Sequence, residues 1–249
     1  MKFGVADFGM NVWDGGLFDI EERLEALREI GFDGTERLEA SSPADALHKA
    51  AQYRRHGMDF ALCRGPNVQV SLQWTAGFGK EYVWTGVSGK DFDTFCRQAN
   101  RQAEVSARYG VKVGLHNHLN SPVETQAEVE EFMKRCPECW LILDTAHLAG
   151  ADGDALEIAK KYADRIVALH LKDLYVVNRD AGTKNFNEFG RFCELGAGNV
   201  GLDNAAILNA TAERGFNGWV HVEQDNHLRD PLEDLAVSRE YIRNAGFGR

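Results

Sequence analysis

Short apolar runs alternate with longer amphipathic ones along the whole chain. The short runs are residues 2–8, a second run from the turn Gly31-Phe32-Asp33-Gly34 to about Glu36, then 58–63, 82–85, 111–115, 140–143, 166–169 and 219–222. Each is four to eight residues long and bounded by polar or glycine-rich sequence, as buried parallel strands are. Between them lie helical patterns. Ile20, Leu24, Leu27 and Ile30 share one face of a helix over 19–30, with Asp19 as its N-cap. Ser42-Pro43 opens a second helix running to about Gly57, and further helices are expected at 92–109, 124–135, 154–163, 204–214 and 230–244. Eight strands alternating with helices predict a parallel α/β sheet of the (β/α)₈ TIM-barrel class, filling residues 1–249 as one catalytic domain. An open doubly wound sheet is the alternative.

Two segments depart from this rhythm. Residues 64–80 are rich in glycine and polar residues and lack a helical period, which predicts a shortened or missing third outer helix. Uncovered barrel wall is commonly buried by another chain, so a homo-oligomer or a hetero-oligomer is expected. The second departure is 172–201, about thirty residues between the seventh strand and its helix. A loop this long in a compact domain is usually functional, and it lies on the face where barrel active sites sit.

Composition narrows the partners. The net charge of −10 argues against nucleic acid and anionic membrane surfaces. No run of 18 apolar residues is present, and the first residues lack the long apolar core of a signal peptide. Five cysteines, an odd number, read as free cytoplasmic thiols. Cys136-Pro-Glu-Cys139 is a lone CxxC without the second pair a zinc ribbon needs, and two free thiols is its simplest reading.

Chemistry gathers where the strands end. The fifth ends in His116-Asn117-His118, the sixth in Asp144-Thr145-Ala146-His147, the seventh in His170-Leu171-Lys172-Asp173 and the eighth in Glu223-Gln224-Asp225. Singly each has a structural reading: Asp144 as a helix N-cap, His170 as a hydrogen-bonded core residue. Together, four polar residues at one rim of a closed barrel predict a shared site. Mixed nitrogen and oxygen donors suit Mn²⁺, Co²⁺, Fe²⁺, Zn²⁺ or Mg²⁺, with Mn²⁺ or Co²⁺ favoured over Ca²⁺. Asp144, His170 and Glu223 are candidate ligands, and either His116 or Glu124 completes the set. His118 has the position and chemistry of a general base, because an imidazole titrates near neutrality. His116 and Lys172 are further catalytic candidates. His147 and Lys172 suit substrate hydroxyls or an enediolate; Asn117, Glu36 and Trp13 are placed in the substrate-binding wall. His48, His56, His221 and His227 read as surface or inter-element residues.

Gly196-Ala197-Gly198-Asn199-Val200-Gly201 matches a dinucleotide fingerprint, but that site requires a buried parallel strand just before the glycines. The preceding residues carry Asn187, Glu188, Arg191 and Glu194. No nucleotide cofactor is therefore expected.

At these same motifs the chain resembles the xylose-isomerase-like barrel superfamily, and within it the inosose (2-keto-myo-inositol) dehydratases. The resemblance rests on His116-Asn117-His118, Val123-Glu124-Thr125, Leu143-Asp144-Thr145-Ala146-His147-Leu148, Leu169-His170-Leu171-Lys172-Asp173, Cys193-Glu194-Leu195-Gly196 and Gly218-Trp219-Val220-His221-Val222-Glu223-Gln224-Asp225. It implies one divalent ion held by Asp144, His170, Glu223 and a group from the fifth strand. It also implies a lyase that enolises a keto-polyol or keto-sugar and eliminates a β-substituent. Related readings are a 3-keto C-glycoside deglycosidase catalytic subunit with a small partner, a ketose epimerase or isomerase, and a non-enzymatic sugar-binding barrel. The superfamily's epimerases place a Glu where this chain has His116, which favours a single histidine base.

Overall fold

A computed structural model of the chain describes residues 1–6, 10–13, 16–86 and 91–248. The strands in chain order are β1 (Lys2–Val5), β2 (Gly34–Glu39), β3 (Asp59–Arg64), β4 (Tyr82–Trp84), β5 (Lys112–His116), β6 (Trp140–Asp144), β7 (Ile166–Leu171), β8 (Asp173–Val176), β9 (Gly190–Cys193) and β10 (Trp219–Val222). The helices are α1 (Ile20–Ile30), α2 (Pro43–Arg55), α3 (Val68–Gly77), α4 (Phe92–Ala107), α5 (Gln126–Arg135), α6 (Thr145–Gly150), α7 (Ala155–Lys161), α8 (Phe186–Phe189), α9 (Asn204–Glu213) and α10 (Pro231–Asn244).

Eight strands form one parallel sheet in the order β3-β2-β1-β10-β7-β6-β5-β4, curled into a nearly closed (β/α)₈ barrel. Among the described residues no ladder joins its two ends, β3 and β4. All eight expected strands are present, with edges displaced by a few residues. The first was expected to reach residue 8; β1 ends at Val5, and Asp7 and Phe8 lie outside the described residues. The second was expected to end near Glu36; β2 continues to Glu39. Glu36 therefore stands inside a strand rather than in a turn, and it is fully buried.

Helix starts follow local chemistry. The Asp19 carboxylate accepts from the amides of Glu21 and Glu22, and Ser42 caps α2 with Pro43 in its first turn. Thr125 and Glu128 form a capping box at α5. The main apolar core lies between barrel and helices and includes Leu24, Leu27, Phe132, Leu143, Leu169 and Leu235. A smaller cluster fills the barrel itself: Leu62, Tyr82, Ile142 and Ala168, with Trp140 and Trp219 below them. That filling makes a solid floor under the rim where the candidate residues stand.

The third helix corrects the expectation. Residues 64–80 hold α3, ten residues long, as long as α5 and α9. Asn67 caps it by accepting from the Val70 amide, and Thr75 anchors it to the Cys63 amide (3.0 Å). One inward contact is a hydrogen bond rather than an apolar side chain, which hides the helical period. Bare barrel wall at this point, the ground for expecting a second chain, does not arise.

The long segment after β7 is also structured. β8 and β9 form an antiparallel hairpin. Its start is tied to the glycine-rich run, where the Asp173 carboxylate accepts from the Gly196 amide (2.8 Å). Gly196–Gly201 thus follows a hairpin strand. All five cysteines are buried free thiols, and no described helix is long and apolar enough to cross a membrane.

Candidate metal centre and active site

Side chains on a strand alternate faces, so Trp219, His221 and Glu223 project from β10 and its end toward one side. Tyr82 and Trp84 do the same from β4. These inward rows meet the ends of β5, β6 and β7. The result is a buried cluster in which one ligand atom each from His116, Asp144, His170 and Glu223 lies within 4.8 Å of the others.

Asp144 satisfies both of its sequence readings, one oxygen for each. Its Oδ1 accepts from the His147 amide (2.8 Å) and caps α6. Its Oδ2 is buried without a hydrogen bond and lies 3.4 Å from His116 Nε2, itself buried without one. Asn117 fixes Asp144 from behind: its amide donates to the Asp144 carbonyl and its oxygen accepts from the Asp144 amide, both at 2.9 Å. Both polar groups of Asn117 are thereby used, so it stands behind Asp144 rather than in a substrate wall.

His170 lies between two carboxylates. Its Nδ1 is in short contact with Glu223, and its Nε2 donates to Glu36 Oε1 at 2.9 Å. The same Glu36 oxygen accepts from the Trp84 indole (2.8 Å) and the Tyr82 hydroxyl (3.2 Å). Tyr82 in turn stands 3.3 Å from His221 Nε2. Contrary to its reading as an inter-element residue, His221 is wholly buried, stacked on Trp219.

Burial opposes every charge here, so each net shift reports what outweighs it. It works against the Glu36 carboxylate, yet His170, His221 and Arg37 hold that carboxyl at about 2. It disfavours the His170 imidazolium, but Glu36 and Glu223 lift that ring to about 10. Asp144 and Glu223 stay well below the usual carboxylate range despite burial: His147, Lys172 and His116 act on the first, Lys172 and His170 on the second. His116, His147 and His221 lack sufficient compensation and are lowered by burial, His221 to about 3. They are neutral at pH 7.

The donor set fits a divalent cation. Two hydrogen-bond-free ligand atoms face each other, next to an imidazole and a carboxylate that share a short contact. Metal–ligand bonds of about 2 Å need a spacing of this order. Glu124 does not join: it precedes α5, and its Oε1 accepts from Thr183 Oγ1 in the long segment after β7 (3.3 Å). Of the two candidates for the fourth position, the geometry groups His116.

Lys172 is fully buried, its ammonium 2.7 Å from Asp225, 3.1 Å from His147 Nε2 and 3.2 Å from Glu223. Phe192, delivered by β9, covers it at 4.2 Å. Burial is outweighed by Glu223, Asp144 and Asp225, which raise its pKa above the usual lysine value. A cavity of about 570 Å³ opens over the cluster, lined in part by Glu36, His116, His118, Glu223 and Asp225. Lys172, His147 and Trp13 are not among its lining residues; Trp13 packs instead on His227, centroid to centroid 5.1 Å. His118 does line it. Its Nδ1–H donates to the Leu119 carbonyl (2.6 Å), which leaves Nε2 as the ring's lone-pair nitrogen.

Sequence reasoning missed Tyr82, Trp84 and His221. Their signal is the two-residue period that places Tyr82 with Trp84, and Trp219 with His221 and Glu223, on shared faces.

Fold and rim together define an α/β barrel with a candidate divalent-metal centre at the C-terminal ends of its strands. The chain belongs to the xylose isomerase-like TIM barrel family, whose model matches residues 67–245. Over 248 residues it is 26 % identical to the inosose dehydratase of Lactiplantibacillus plantarum, covering 92 % of this chain and 82 % of that one. Further inosose dehydratases match over shorter stretches, 50 to 62 % of their own lengths. Among solved structures, the fold is similar to that of the probable 3-DHS dehydratase AsbF from Bacillus anthracis (TM-score 0.75, 14 % identity, 98 % of this chain and 99 % of that one). It is also similar to a xylose isomerase-like TIM barrel protein from Mycobacterium smegmatis in complex with magnesium (TM-score 0.70, 16 % identity, 98 % and 95 % covered).

Proposed function

We propose that the chain is a divalent-metal-dependent carbon–oxygen lyase that dehydrates a keto-polyol. The observation that carries this reading is the cavity lined by His118 together with His116 and Glu223 of the four-residue cluster, Asp144 and His170 lying buried beside them. Its likeness to inosose dehydratases supports it.

His116, Asp144, His170 and Glu223 would hold the ion. Two nitrogen and two oxygen donors suit the Mn²⁺-to-Zn²⁺ series better than Ca²⁺. When bound, such an ion supplies Lewis-acid polarisation of a ketone, worth several kcal/mol of charge stabilisation. The remaining work falls to the chain's own groups. His118 Nε2 takes the proton α to the ketone, and the C–H electron pair becomes the C=C bond of the enol. On elimination the β C–O bond breaks and its oxygen leaves as water. The imidazolium formed at His118 returns its proton to that oxygen, and Asp225, which lines the cavity as the carboxylate accepting from Lys172 (2.7 Å), is placed to accept from a substrate hydroxyl. Lys172, enclosed behind it, anchors Asp225, Glu223 and His147 instead of meeting substrate. With α3 in place, the wall-based argument for a small partner subunit has lost its ground, and no specific observation favours C–C cleavage or epimerisation over dehydration.

Elemental analysis of the purified protein beside Asp144→Ala and Glu223→Ala tests the reading, together with NMR of 2-keto-myo-inositol incubated with each. About one first-row ion per chain, lost in both variants along with dehydration, is expected. A protein that neither carries nor takes up metal would sink the proposal.

A further inference from the structure

The cavity is larger than a polyol ring requires. A pocket on the order of 150 Å³ accommodates a six-membered ring such as benzene, against about 570 Å³ here. At the ends of β2 and β3 the cavity lining includes Arg37 and Arg64. Arg37 is 7 % exposed, with its guanidinium over the Trp84 ring at 5.5 Å. Arg64 pairs with Glu39 at 3.2 Å, both side chains more than half exposed. Such a pair is weak and open to a competing anion. Both arginines also line an adjoining groove of about 980 Å³, together with Arg23 and Lys49 against Glu39 and Asp45. Positive charge is thus concentrated here in a chain whose net charge is −10.

We propose that this end of the cavity is a subsite for an anionic substituent of the substrate, a carboxylate or phosphate held by Arg37 and Arg64. The proposal rests on the keto-polyol reading and narrows it to charged members of that class. At the opposite end the charged lining residues are the carboxylates Glu36, Glu223 and Asp225, so the arginines of the cavity wall stand only at the Arg37–Arg64 end. With its anionic substituent on those arginines, a substrate presents its uncharged ketone end toward the cluster. Guanidinium groups pair with carboxylate and phosphate in the same forked geometry, so the ligand source is left to the experiment.

Calorimetric titration of the metal-loaded protein with myo-inositol, quinate and myo-inositol 1-phosphate decides the matter. Quinate or the phosphate is expected to bind about tenfold or more tightly than neutral myo-inositol, the gain of a charge-assisted hydrogen bond; the tighter of the two names the anion. Arg64→Gln, at the surface and safe for folding, should remove most of that preference and leave myo-inositol binding unchanged. Equal affinities for all three, or a preference that survives Arg64→Gln, would overturn the subsite while the polyol reading stands. Binding of none of them counts against both.

Discussion

His118 and Glu36 differ in what they touch, and that difference is measurable. His118 lines the cavity with a free Nε2; Glu36 reaches the cluster through His170 Nε2. A carboxylate on the far nitrogen of a ligating imidazole fixes its ring and raises its basicity, and losing one typically costs 10–100-fold in metal affinity or activity. Glu36→Gln is therefore expected to weaken Mn²⁺ or Co²⁺ binding by about tenfold or more in a competitive chelator titration. His118→Asn should leave that affinity intact and lower kcat by about 10²-fold or more, the usual contribution of a positioned base. If His118→Asn loses metal and Glu36→Gln does not, the two roles are reversed. Asp144, His170 and Glu223 were legible in the sequence because a charged or imidazole side chain at the end of an apolar strand is conspicuous. Glu36 was seen and misplaced, since nothing in the sequence showed that β2 continues three residues beyond it. Asn117 was read as a substrate contact because its partners are backbone atoms, which leave no trace in side-chain identity.

At the level of elements, β2 and β3 approach more closely than most side chains allow. A Cβ at Gly34 would lie 1.8 Å from the Asp59 carbonyl oxygen. Gly34→Ala is expected to destabilise the fold by about 2–3 kcal/mol, as overpacking against backbone does, read as a lowered urea midpoint. Strands were legible throughout because each is short, apolar and bounded by turn residues. Helix α3 was not, because it buries Leu72 and Thr75, and a threonine bonded to β3 is invisible to a search for apolar periodicity. The hairpin β8–β9 escaped for a related reason. It packs aromatic residues, Phe186 on Phe192, over a charged site rather than over the barrel core.

For the whole molecule, the buried titratable groups predict how stability follows pH in metal-stripped protein. His221 is held at about 3 against an ordinary 6.5, so between those values unfolding takes up a proton. Glu36, at about 2 against 4.5, behaves alike over its own range. His221 therefore costs stability as pH falls below about 6.5, and Glu36 adds its share below about 4.5. His170 has the opposite sign: lifted to about 10, its contribution is complete below 6.5 and lost as pH rises through 10. Calorimetry at pH 4, 6.5 and 9.5 should find the highest Tm at the middle value. Restoring metal at about 100 times its Kd should add roughly 2.7 kcal/mol, or about 5–10 °C in Tm for a chain of this size, and EDTA should remove it.

Among the described residues the barrel's hydrogen-bonded ring is interrupted at one place, between β3 and β4. The cavity wall draws on Leu62, Cys63 and Arg64 from one side of that interruption and on Val83, Trp84 and Thr85 from the other. A hoop of ladders widens only by breaking backbone bonds. A split ring widens by flexing at its slit, with only side-chain packing to overcome. The bore of this cavity is thus adjustable at the slit, while the ligand-bearing strands β5, β6, β7 and β10, joined to one another by ladders, keep their calibre.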